Sequence, residues 1–312
     1  MLIYFLFKGI ISLQKFERLR DKMAELLKGK PVADRISLET TERVEELKAE
    51  GIIPTLAIVR LGEDPGDLSY EKGAMKRAAE VGVEVKNIVL PRDAKQEELV
   101  AEIEKLNEDS SVHGVLLFRP LPKHMDEKVV CEVLDPAKDV DGITSGSLAG
   151  IFMDSEVGFP PCTAKSCMEI LDHYGYDLTG KKVTVMGRSL VIGKPVAMMA
   201  MRKNATVTIC HSRTKAEDFA AAGAGADAVI AAVGKARMIT EQMLGEGQII
   251  IDVGINMDEN GKLCGDVDFD RENPEAGLGA KAKAVTPVPA GVGSVTTAVL
   301  MKHVVQAAQG VK

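Results

Sequence analysis

From Thr55 onward, short runs of β-branched and other apolar residues alternate with longer stretches in which apolar residues recur at helical spacing. TLAIVRLG (residues 55–62) predicts a first strand, and a helix is predicted over residues 68–81. VEVKNIVLP predicts a second strand, EELVAEIEKLN a second helix, and HGVLLFRPLP (residues 113–122) a third strand that its two prolines end. This alternation is typical of parallel strands joined by crossover helices.

The second half of the chain repeats the alternation with four apolar runs, each of which ends near a glycine or a polar residue. KKVTVMG, ATVTICH, ADAVIAAVG and QIIIDVGIN predict four strands of a doubly wound sheet. ENGK (residues 259–262) predicts a hairpin turn before a short return strand. Residues 294–309 predict a final helix that packs back on the first domain. The expected fold class is α/β with two domains, the second of them Rossmann-type.

Length and charge narrow the class of ligand. The 312 residues are 46% hydrophobic and 27% charged, which is enough for two domains that each have a core. The formal net charge of -7 and the lack of a dense Lys/Arg run argue against nucleic acid as a partner. Small molecules are therefore the expected ligands.

The cysteines and the apolar start of the chain bear on the compartment. The five cysteines are odd in number, scattered and without a CxxC pair, which argues against a disulfide framework and against a zinc site. No metal is expected, and a cytoplasmic location is predicted. Residues 1–7 are too short an apolar run to span a membrane, and they lack the order of a signal peptide. Residues 1–22 are expected to be an N-terminal extension without membrane association.

A glycine-flanked turn follows the strand KKVTVM and leads into a predicted helix. It contains Gly187, Arg188, Ser189 and Gly193, and its spacing is not that of the GxGxxG fingerprint. Backbone N–H groups of such a turn can approach a pyrophosphate at the positive end of the helix. The alternative is a helix-start turn with two conformational glycines.

The residues after the next strand indicate which nucleotide binds. His211, Ser212 and Arg213 lie about where an NAD-binding domain carries an acidic residue for the ribose hydroxyl, and no Asp or Glu is present there. A Ser hydroxyl with Arg213, and Arg188 in the turn, suit a 2′-phosphate. NADP is therefore predicted in preference to NAD. The alternative is that these are ordinary solvated polar residues at a strand end.

Several motifs converge on one family: GRSLVIGKP, CHSRT, PCTAKSC, KDVDGIT, IIIDVGIN, GDVDF and TPVPAGVGSVT. In order and spacing they resemble the bifunctional methylenetetrahydrofolate dehydrogenase/cyclohydrolases known as FolD, from about Met23 to the C-terminus. The resemblance implies a folate-binding catalytic domain over residues 23–156, completed by residues 286–312. It further implies a Rossmann-type NADP-binding domain over residues 157–285, with folate bound in a cleft.

The resemblance also implies roles for individual residues. Tyr70 corresponds to the tyrosine that lies against the folate and Asp141 to the aspartate that hydrogen-bonds the pterin, so both are candidate catalytic and substrate-binding residues. The loop TPVPAGVG is similar to a segment near both folate and nicotinamide. The implied substrate-binding residues of this loop are Pro289, Gly291 and Gly293. The implied cofactor-binding residues are Gly187, Arg188, Ser189, Gly193, His211, Ser212, Arg213, Gly234, Gly254 and Ile255.

The resemblance implies a homodimer formed through the nucleotide-binding domains. The strand before the ENGK turn is a candidate edge for this interface, because an exposed strand edge needs cover.

The chain departs from the family pattern at four positions. Ala74 stands where the pattern has a lysine one helical turn after the tyrosine, and Phe118 stands where it has a glutamine. Ala290 and Ser294 depart from the usual PGGVGPMT. At about 100° per residue, the lysines at positions 72 and 76 face away from the tyrosine. Arg77 shares its face, but a guanidinium cannot serve as a base near neutral pH.

The departures affect the two reactions of the family differently. Hydride transfer needs positioning and no proton transfer, so NADP-dependent dehydrogenase activity on tetrahydrofolate derivatives is expected. Hydrolysis of the methenyl product needs a proton-transfer group, so cyclohydrolase activity is expected to be weak or absent. Three alternatives stay open: a fully bifunctional enzyme, another NADP-dependent oxidoreductase on the same fold, and a nucleotide-sensing module without turnover.

Overall fold

The computed structural model describes residues 23–270, 272–273 and 276–310. The predicted N-terminal extension, residues 1–22, lies outside them. The described residues form two compact units, which we name by their sheets. The three-stranded unit holds Lys30–Glu169, Ser189–Arg202 and the described residues from Gly293 on; the six-stranded unit holds the described residues up to Gly29, with Ile170–Arg188 and Lys203–Val292. The predicted bounds of the folate-binding and NADP-binding domains stay a prediction, because compact units need not coincide with functional domains.

The three-stranded unit is built around a parallel sheet, in which β2 (Thr55–Leu61) lies between β3 (Glu84–Leu90) and β4 (Gly114–Leu117). The helix after β2 begins after the N-cap Asp64, whose side chain accepts a hydrogen bond from Gly66 N–H, and it ends at Gly82, which has a left-handed φ of 82°. The elements are α1 (Gly29–Ala49), β2 (Thr55–Leu61), α2 (Pro65–Val81), β3 (Glu84–Leu90), α3 (Gln96–Glu108), β4 (Gly114–Leu117), α4 (Glu127–Val133), α5 (Ser145–Met153), α6 (Cys162–His173), α7 (Gly193–Arg202) and α10 (Thr296–Ala308), with α1 and α6 crossing the unit boundary at one end.

The six-stranded unit has one sheet in which each neighbouring pair of strands is parallel. The strand order is β1 (Glu25–Leu26), β11 (Ala284–Val285), β8 (Ile249–Asp252), β7 (Ala228–Ala231), β5 (Lys182–Met186) and β6 (Thr206–Cys210). The chain turns from β5 to β6 on one side and then returns to β7 on the other, so the carboxyl end of β5 is a switch point, where ligands bind in such sheets. The elements are β1 (Glu25–Leu26), β5 (Lys182–Met186), β6 (Thr206–Cys210), α8 (Ala216–Ala224), β7 (Ala228–Ala231), β8 (Ile249–Asp252), β9 (Asn256–Met257), β10 (Leu263–Cys264), α9 (Leu278–Lys281) and β11 (Ala284–Val285).

The predicted α/β class with parallel sheets is confirmed, and so is the ENGK turn. The turn joins the antiparallel strands β9 and β10, with Gly261 at a φ of 71°. The strand predicted over residues 113–122 is shorter, because β4 ends at Leu117. The strand predicted before the ENGK turn is divided in two: β8 pairs with β7 on one side and with β11 on the other, whereas β9, directly before the turn, pairs with β10 alone among the described residues. The predicted role of an edge at an interface stays a prediction.

Each unit has its own apolar core. In the three-stranded unit, helix α3 buries Leu99, Ile103 and Leu106 against the sheet, as its spacing predicts. In the six-stranded unit, the core includes Val229 and Ile250 from the central strands. No helix in the described part of the chain is long and apolar enough to cross a membrane.

Candidate active site

Tyr70 lies on α2 of the three-stranded unit and is partly buried. Its ring meets the ring of Phe118 edge-on, with 5.9 Å between the centroids and an interplanar angle of 86°. Phe118 is placed there because β4 ends one residue earlier, at Leu117. The side chain of Thr296, the first residue of α10, also lies beside the phenol. Tyr70 is thus held by the second helix, the end of a strand and the C-terminal helix.

The phenol of Tyr70 stays protonated at neutral pH. Burial raises its pKa well above the usual value, and the charge of Asp141 and the Cys162 thiol raise it further. A protonated phenol can donate a hydrogen bond. Because the charge of Asp141 acts on the Tyr70 phenol, these two predicted catalytic residues lie near each other in the three-stranded unit.

Asp141 has a carboxyl group whose protonation changes near neutral pH. Burial raises the pKa of Asp141 to about 6, while Cys162 and the Arg119 guanidinium oppose the rise and the charge of Asp139 adds to it. Gly142, directly after it, has a left-handed φ of 67°. The Asp141 carboxyl group can therefore accept a hydrogen bond above about pH 6 and donate one below it.

The turn that carries Asp141 is held by a second, fully buried aspartate. Asp139 accepts hydrogen bonds from Ile143 N–H at 3.0 Å, Thr144 N–H at 2.8 Å and the Ser147 hydroxyl at 2.6 Å. A carboxylate with several such donors fixes the backbone around it. Asp139 thus orients the turn that carries Asp141.

Behind this turn, α10 contributes a buried histidine. His303 donates from Nδ1 to the carbonyl oxygen of Val140 at 2.9 Å, and burial lowers its pKa to about 4. The Cys162 Sγ lies 3.3 Å from the same oxygen. Burial raises the pKa of Cys162 well above its usual value, so this thiol is not a nucleophile at neutral pH. Both groups support the backbone beside Asp141.

The face of α2 beside Tyr70 has no lysine in the three-stranded unit. Ala74 is fully buried, whereas Lys72 and Lys76 are exposed, as the helical geometry predicts. Arg77 donates to the Ser37 hydroxyl at 3.1 Å and to Glu80 at 3.0 Å. Its guanidinium is thereby engaged with α1 and with its own helix.

A buried ion pair anchors α2 next to Tyr70. Glu71 Oε2 lies 2.7 Å from Arg60 Nε, and its Oε1 accepts from Asn87 Nδ2 at 3.2 Å. Arg60 is on β2 and Asn87 on β3, so Glu71 ties the helix to both strands. The sequence does not predict this contact, because nothing in the local pattern distinguishes Glu71 from a surface glutamate.

On the six-stranded unit, Gly187 follows β5 at the switch point. Its N–H donates to Cys210 O at 2.9 Å, and a Cβ atom there would lie 2.2 Å from Ala232 O. With a φ of 143°, this position needs glycine. Arg188, the next residue, is exposed. Gly187 therefore lets the ends of β5, β6 and β7 approach closely.

The rest of the predicted turn belongs to the three-stranded unit and leads into α7. Ser189 Oγ accepts from Ile192 N–H at 3.1 Å, and Ser189 O accepts from Lys194 N–H at 3.0 Å. Gly193 is buried and begins the helix. This is the geometry of a helix start whose first N–H groups can face an anion.

A second turn follows β6. His211 Nδ1 accepts from Arg213 N–H at 3.1 Å, and His211 N–H donates to the Thr214 hydroxyl at 2.9 Å. These bonds fix the backbone of the turn, while Ser212 and Arg213 are exposed. No acidic residue lies between β6 and Thr214. The exposed positive charge is therefore not countered within the turn.

The remaining predicted residues lie on loops. Gly234 is exposed, with a φ of 68° and nothing within 4 Å of the place of a Cβ atom. Gly254 is buried, and Ile255 is 70% exposed. In the last loop, Pro289 is exposed and Gly291 is buried in the six-stranded unit, whereas the exposed Gly293 is in the three-stranded unit.

Ala290, in the same loop as Pro289 and Gly291, adopts a left-handed φ of 86°. A non-glycine residue is strained in this conformation. The departure from glycine at this position is therefore a structural cost that the chain carries.

No group of three or more His, Cys, Asp or Glu side chains within the described residues could hold a metal ion. The phenol of Tyr70 and the carboxyl group of Asp141 are polar groups that can form hydrogen bonds with an organic ligand. The helix start at Gly193 is suited to an anionic group.

Two family domains match the sequence. The catalytic domain of tetrahydrofolate dehydrogenase/cyclohydrolase matches residues 27–141, and the NAD(P)-binding domain of the same family matches residues 161–312. Bifunctional protein FolD of Clostridioides difficile (strain 630) is 49% identical over 283 residues, which are 91% of this chain and 96% of that protein. FolD of Carboxydothermus hydrogenoformans is 48% identical over 289 residues, 92% of this chain and 98% of that protein.

Solved structures show the same fold. The bifunctional FolD methylenetetrahydrofolate dehydrogenase/cyclohydrolase of Campylobacter jejuni has a TM-score of 0.87 at 37% identity, covering 92% of this chain and 99% of that one. The FolD of Trypanosoma brucei, solved with NADP cofactor and an inhibitor, has a TM-score of 0.85 at 31% identity, covering 92% and 98%. The chain therefore belongs to the tetrahydrofolate dehydrogenase/cyclohydrolase family.

Proposed function

We propose that the protein oxidises methylenetetrahydrofolate to methenyltetrahydrofolate with NADP, and that it hydrolyses the methenyl product slowly or not at all. The first part is supported by the family membership and by the Tyr70–Asp141 pair. The second is supported by Ala74 and Phe118. The observation that carries the proposal is that the charge of Asp141 acts on the Tyr70 phenol, whereas the position one helical turn after Tyr70 is a buried alanine and the lysines of α2 are exposed.

Hydride transfer from the methylene carbon needs little chemistry from side chains. The carbon lies between two nitrogens, and a nitrogen lone pair stabilises the methenyl cation that forms. NADP, when bound, supplies the acceptor of the hydride. The chain's part is to hold the folate in place: Asp141 accepts hydrogen bonds from the pterin, and the ring of Tyr70 packs against it. Positioning of this kind accounts for a large share of the rate enhancement in such reactions.

The preference for NADP over NAD rests on the two turns described above. Arg188 and Arg213 are exposed cations, and Ser212 adds a hydroxyl group. Charge-assisted hydrogen bonds of this kind suit a phosphate, and the turn after β6 has no carboxylate to bind ribose hydroxyls. The Trypanosoma brucei relative, solved with NADP, supports the same choice.

Hydrolysis of the methenyl group needs side chains that can transfer protons, which hydride transfer does not. Water must attack the methenyl carbon, and protons must move as the ring opens. The buried methyl group of Ala74 has no proton to transfer, and the Phe118 ring, packed on Tyr70, cannot form a hydrogen bond through a side-chain polar atom. The lysines of α2 point to solvent. The expected rate of hydrolysis is therefore far below that of oxidation.

A fully bifunctional enzyme is the second candidate, and one observation favours it. Asp141 has a pKa of about 6, which suits a general base near neutral pH. The relatives that match most of the chain are also named bifunctional. Asp141 could then activate a water, although it also serves as the acceptor for the pterin.

A two-wavelength assay tests the proposal. Methylenetetrahydrofolate and NADP are mixed with the protein, and NADPH formation and the methenyl absorbance are followed together, with NAD and with a panel of hydroxy acids and amino acids as controls. The expected result is NADPH formation with methenyltetrahydrofolate accumulating in equal amount. No turnover of the folate would overturn the dehydrogenase; a methenyl level that stays flat while NADPH rises would establish the bifunctional alternative.

We also propose a cytoplasmic homodimer joined through the six-stranded units, on the resemblance to the family and the cysteine pattern. Because β8 is an inner strand of its sheet, the candidate edge before the ENGK turn is β9, which pairs with β10 alone among the described residues. Light scattering at micromolar concentration is expected to give twice the chain mass of 33.5 kDa. A mass of one chain would contradict the dimer.

A further inference from the structure

Asp266 is a fully buried carboxylate that binds the loop after β7. Its Oδ2 accepts hydrogen bonds from Val233 N–H at 2.6 Å and Gly234 N–H at 2.9 Å. Its Oδ1 accepts from Lys235 N–H at 3.0 Å and from Asn256 Nδ2 at 2.9 Å. Three consecutive N–H groups of one loop thus point at a single side chain.

Asp252, the last residue of β8, extends this arrangement to two further loops. Its Oδ1 accepts from Gly254 N–H at 2.9 Å and from Asp266 N–H at 3.0 Å. Its Oδ2 accepts from Val267 N–H at 3.0 Å, and its own N–H donates to the Thr286 hydroxyl at 2.7 Å. Asp252 therefore fixes the backbone of Asp266, which in turn fixes the loop at Gly234.

Two glycines make room for these carboxylates. A Cβ atom on Gly254 would lie 2.4 Å from Asp266 Oδ1, and one on Gly265 would lie 1.8 Å from Asp252 Oδ2. Neither glycine has a left-handed φ, so the close approach, not the backbone conformation, excludes a side chain here. We call Asp252, Asp266, Gly254 and Gly265 together the carboxylate clamp.

Burying two carboxyl groups in the carboxylate clamp costs free energy, which is more than simple loop packing requires. Burial raises the pKa of Asp252 to about 7, which shows how poorly its charge is solvated. Apolar residues of similar size would avoid this cost, but they would leave the N–H groups of the loops without partners. What two carboxylates add is direction, because they hold specific N–H groups in fixed orientations.

The carboxylate clamp also determines which backbone groups of the loop at Gly234 can contact a ligand. The N–H groups of Val233, Gly234 and Lys235 are taken by Asp266, so they cannot bind a phosphate. Gly234 is exposed, with open space where a side chain would stand. The loop therefore presents carbonyl oxygens and a flat glycine surface, which suit the uncharged part of a dinucleotide.

We propose that Asp266 and Asp252 are positioning residues of the nucleotide site, holding the Gly234 loop and the Gly254–Ile255 segment in the shape that the dinucleotide binds. This inference rests on the proposed function, because it takes the Gly234 loop and Ile255 to contact NADP. The clamp acts away from the 2′-phosphate. Its loss therefore weakens NADP and NAD by the same factor, unlike the loss of Arg188 or Arg213.

The test compares Asp266→Asn with the matched control Asp268→Asn. Asp268 lies two positions along the chain and is exposed, with an ion pair to Arg237 at 3.0 Å. Dissociation constants for NADP and NAD are measured by calorimetry, together with KM for both substrates and kcat. Asp266→Asn is expected to weaken both nucleotides by roughly tenfold or more, with an unchanged KM for the folate and a smaller change in kcat. Asp268→Asn is expected to leave all of these values as in the wild type.

Two more measurements separate positioning from general destabilisation. In the nucleotide-free protein, hydrogen exchange at the amides of residues 233–235 is expected to be slow and to become fast in Asp266→Asn, with the exchange of β5 unchanged. The double variant Asn256→Asp/Asp266→Asn restores a donor–acceptor pair between the two side chains. It is expected to recover part of the lost affinity.

Asn256→Ala decides the matter if Asp266→Asn does not fold, because it removes one bond and leaves the carboxylate in place. It is expected to weaken both nucleotides by roughly threefold. Affinities equal to those of the Asp268→Asn control would overturn the positioning role, and so would a loss confined to NADP. Failure of the wild-type protein to bind either nucleotide would instead overturn the proposed function.

Discussion

The two candidate binding regions of this chain are built in different ways. Around Tyr70, the site consists of side chains: a phenol, the Asp141 carboxylate and the Phe118 ring that packs on the phenol. Around Gly234, it consists mainly of backbone, which the glycine leaves open and the buried Asp266 carboxylate orients, while Gly187 lets the neighbouring strand ends approach closely. A side-chain site loses a reaction when one residue changes. A backbone site tolerates many changes, provided that the groups that orient it stay.

The largest effect on catalysis is expected at the region around Tyr70 and Asp141, which we call the folate region. Tyr70→Ala removes the ring that packs on Phe118 and the hydroxyl group beside Thr296, and it is expected to lower kcat/KM of the dehydrogenase by about 100-fold, the scale of a misplaced substrate. Tyr70→Phe keeps the ring and is expected to lose roughly tenfold. Steady-state kinetics with melting curves measure both. Equal losses in the two variants would mean that the hydroxyl, not the ring, does the positioning.

The second prediction sharpens the comparison at the nucleotide region. Arg213→Ala and Arg188→Ala are each expected to weaken NADP by roughly 1.5–3 kcal/mol and to spare NAD, because a charged hydrogen bond to phosphate is lost. Dissociation constants for both nucleotides measure this. Lys215→Ala, at the N-cap of α8, is the nearby control. A parallel loss of NAD affinity would show that these arginines bind another part of the nucleotide.

Much of the fold can be predicted from the sequence, because long strands and helices repeat their apolar residues. The two-residue strands β1 and β11 are too short to show any period. The long helix α1 is not predicted either, although Val32, Ile36 and Val44 are buried along it at helical spacing. This signal is present in the sequence.

The candidate sites likewise contain residues that the sequence predicts and contacts that it does not. Tyr70, Asp141, Ala74 and Phe118 can be placed from motifs, because each is one side chain at one position. The support of Asp141 by His303, some 160 positions further along the chain, depends on packing that no local pattern shows. The carboxylate clamp joins loops from four parts of the chain. GDVDF and IIIDVGIN mark it in the sequence, but the bonds between them require the fold.

The third prediction concerns the stability of the three-stranded unit. Glu169 is buried against Arg35 at 2.8 Å, Lys165 at 3.1 Å and Lys302 at 3.1 Å, and its pKa is lowered to about 2, because these cations and hydrogen bonds outweigh the cost of burial. A lowered carboxyl pKa stabilises the folded state above the unfolded pKa of about 4.5, and this contribution is lost as the pH falls toward 2.

Glu169→Gln is therefore expected to destabilise the unit by roughly 3 kcal/mol at pH 7 and by much less at pH 3. Unfolding in urea at both pH values measures the difference. Asp34→Asn, which breaks the exposed pair with Lys30, is the control and is expected to change little. A deficit of Glu169→Gln that does not shrink at pH 3 would show that packing, not charge, holds α10 and α1 there.

The smallest effect is expected in the loop that carries Pro289 and Gly291. Ala290→Gly relieves a left-handed φ of 86° and is expected to raise the free energy of unfolding by about 0.5–1 kcal/mol, after the entropy cost of glycine. Ala221→Gly, on the exposed face of α8, is the matched control, with a loss of about 1 kcal/mol. Urea midpoints give both signs. Destabilisation by Ala290→Gly would mean that the alanine methyl group makes a contact worth more than the strain.

The central claim is that the folate region has kept hydride transfer and lost hydrolysis. The most direct measurement supplies methenyltetrahydrofolate without nucleotide and follows its hydrolysis above the buffer background, in wild type and in Ala74→Lys/Phe118→Gln. We expect the wild-type rate to lie on the order of 10²–10⁴-fold below that of its own hydride transfer, and the double variant to gain hydrolysis. Wild-type hydrolysis as fast as hydride transfer would contradict the claim, and it would place the proton-transfer group at a residue other than position 74.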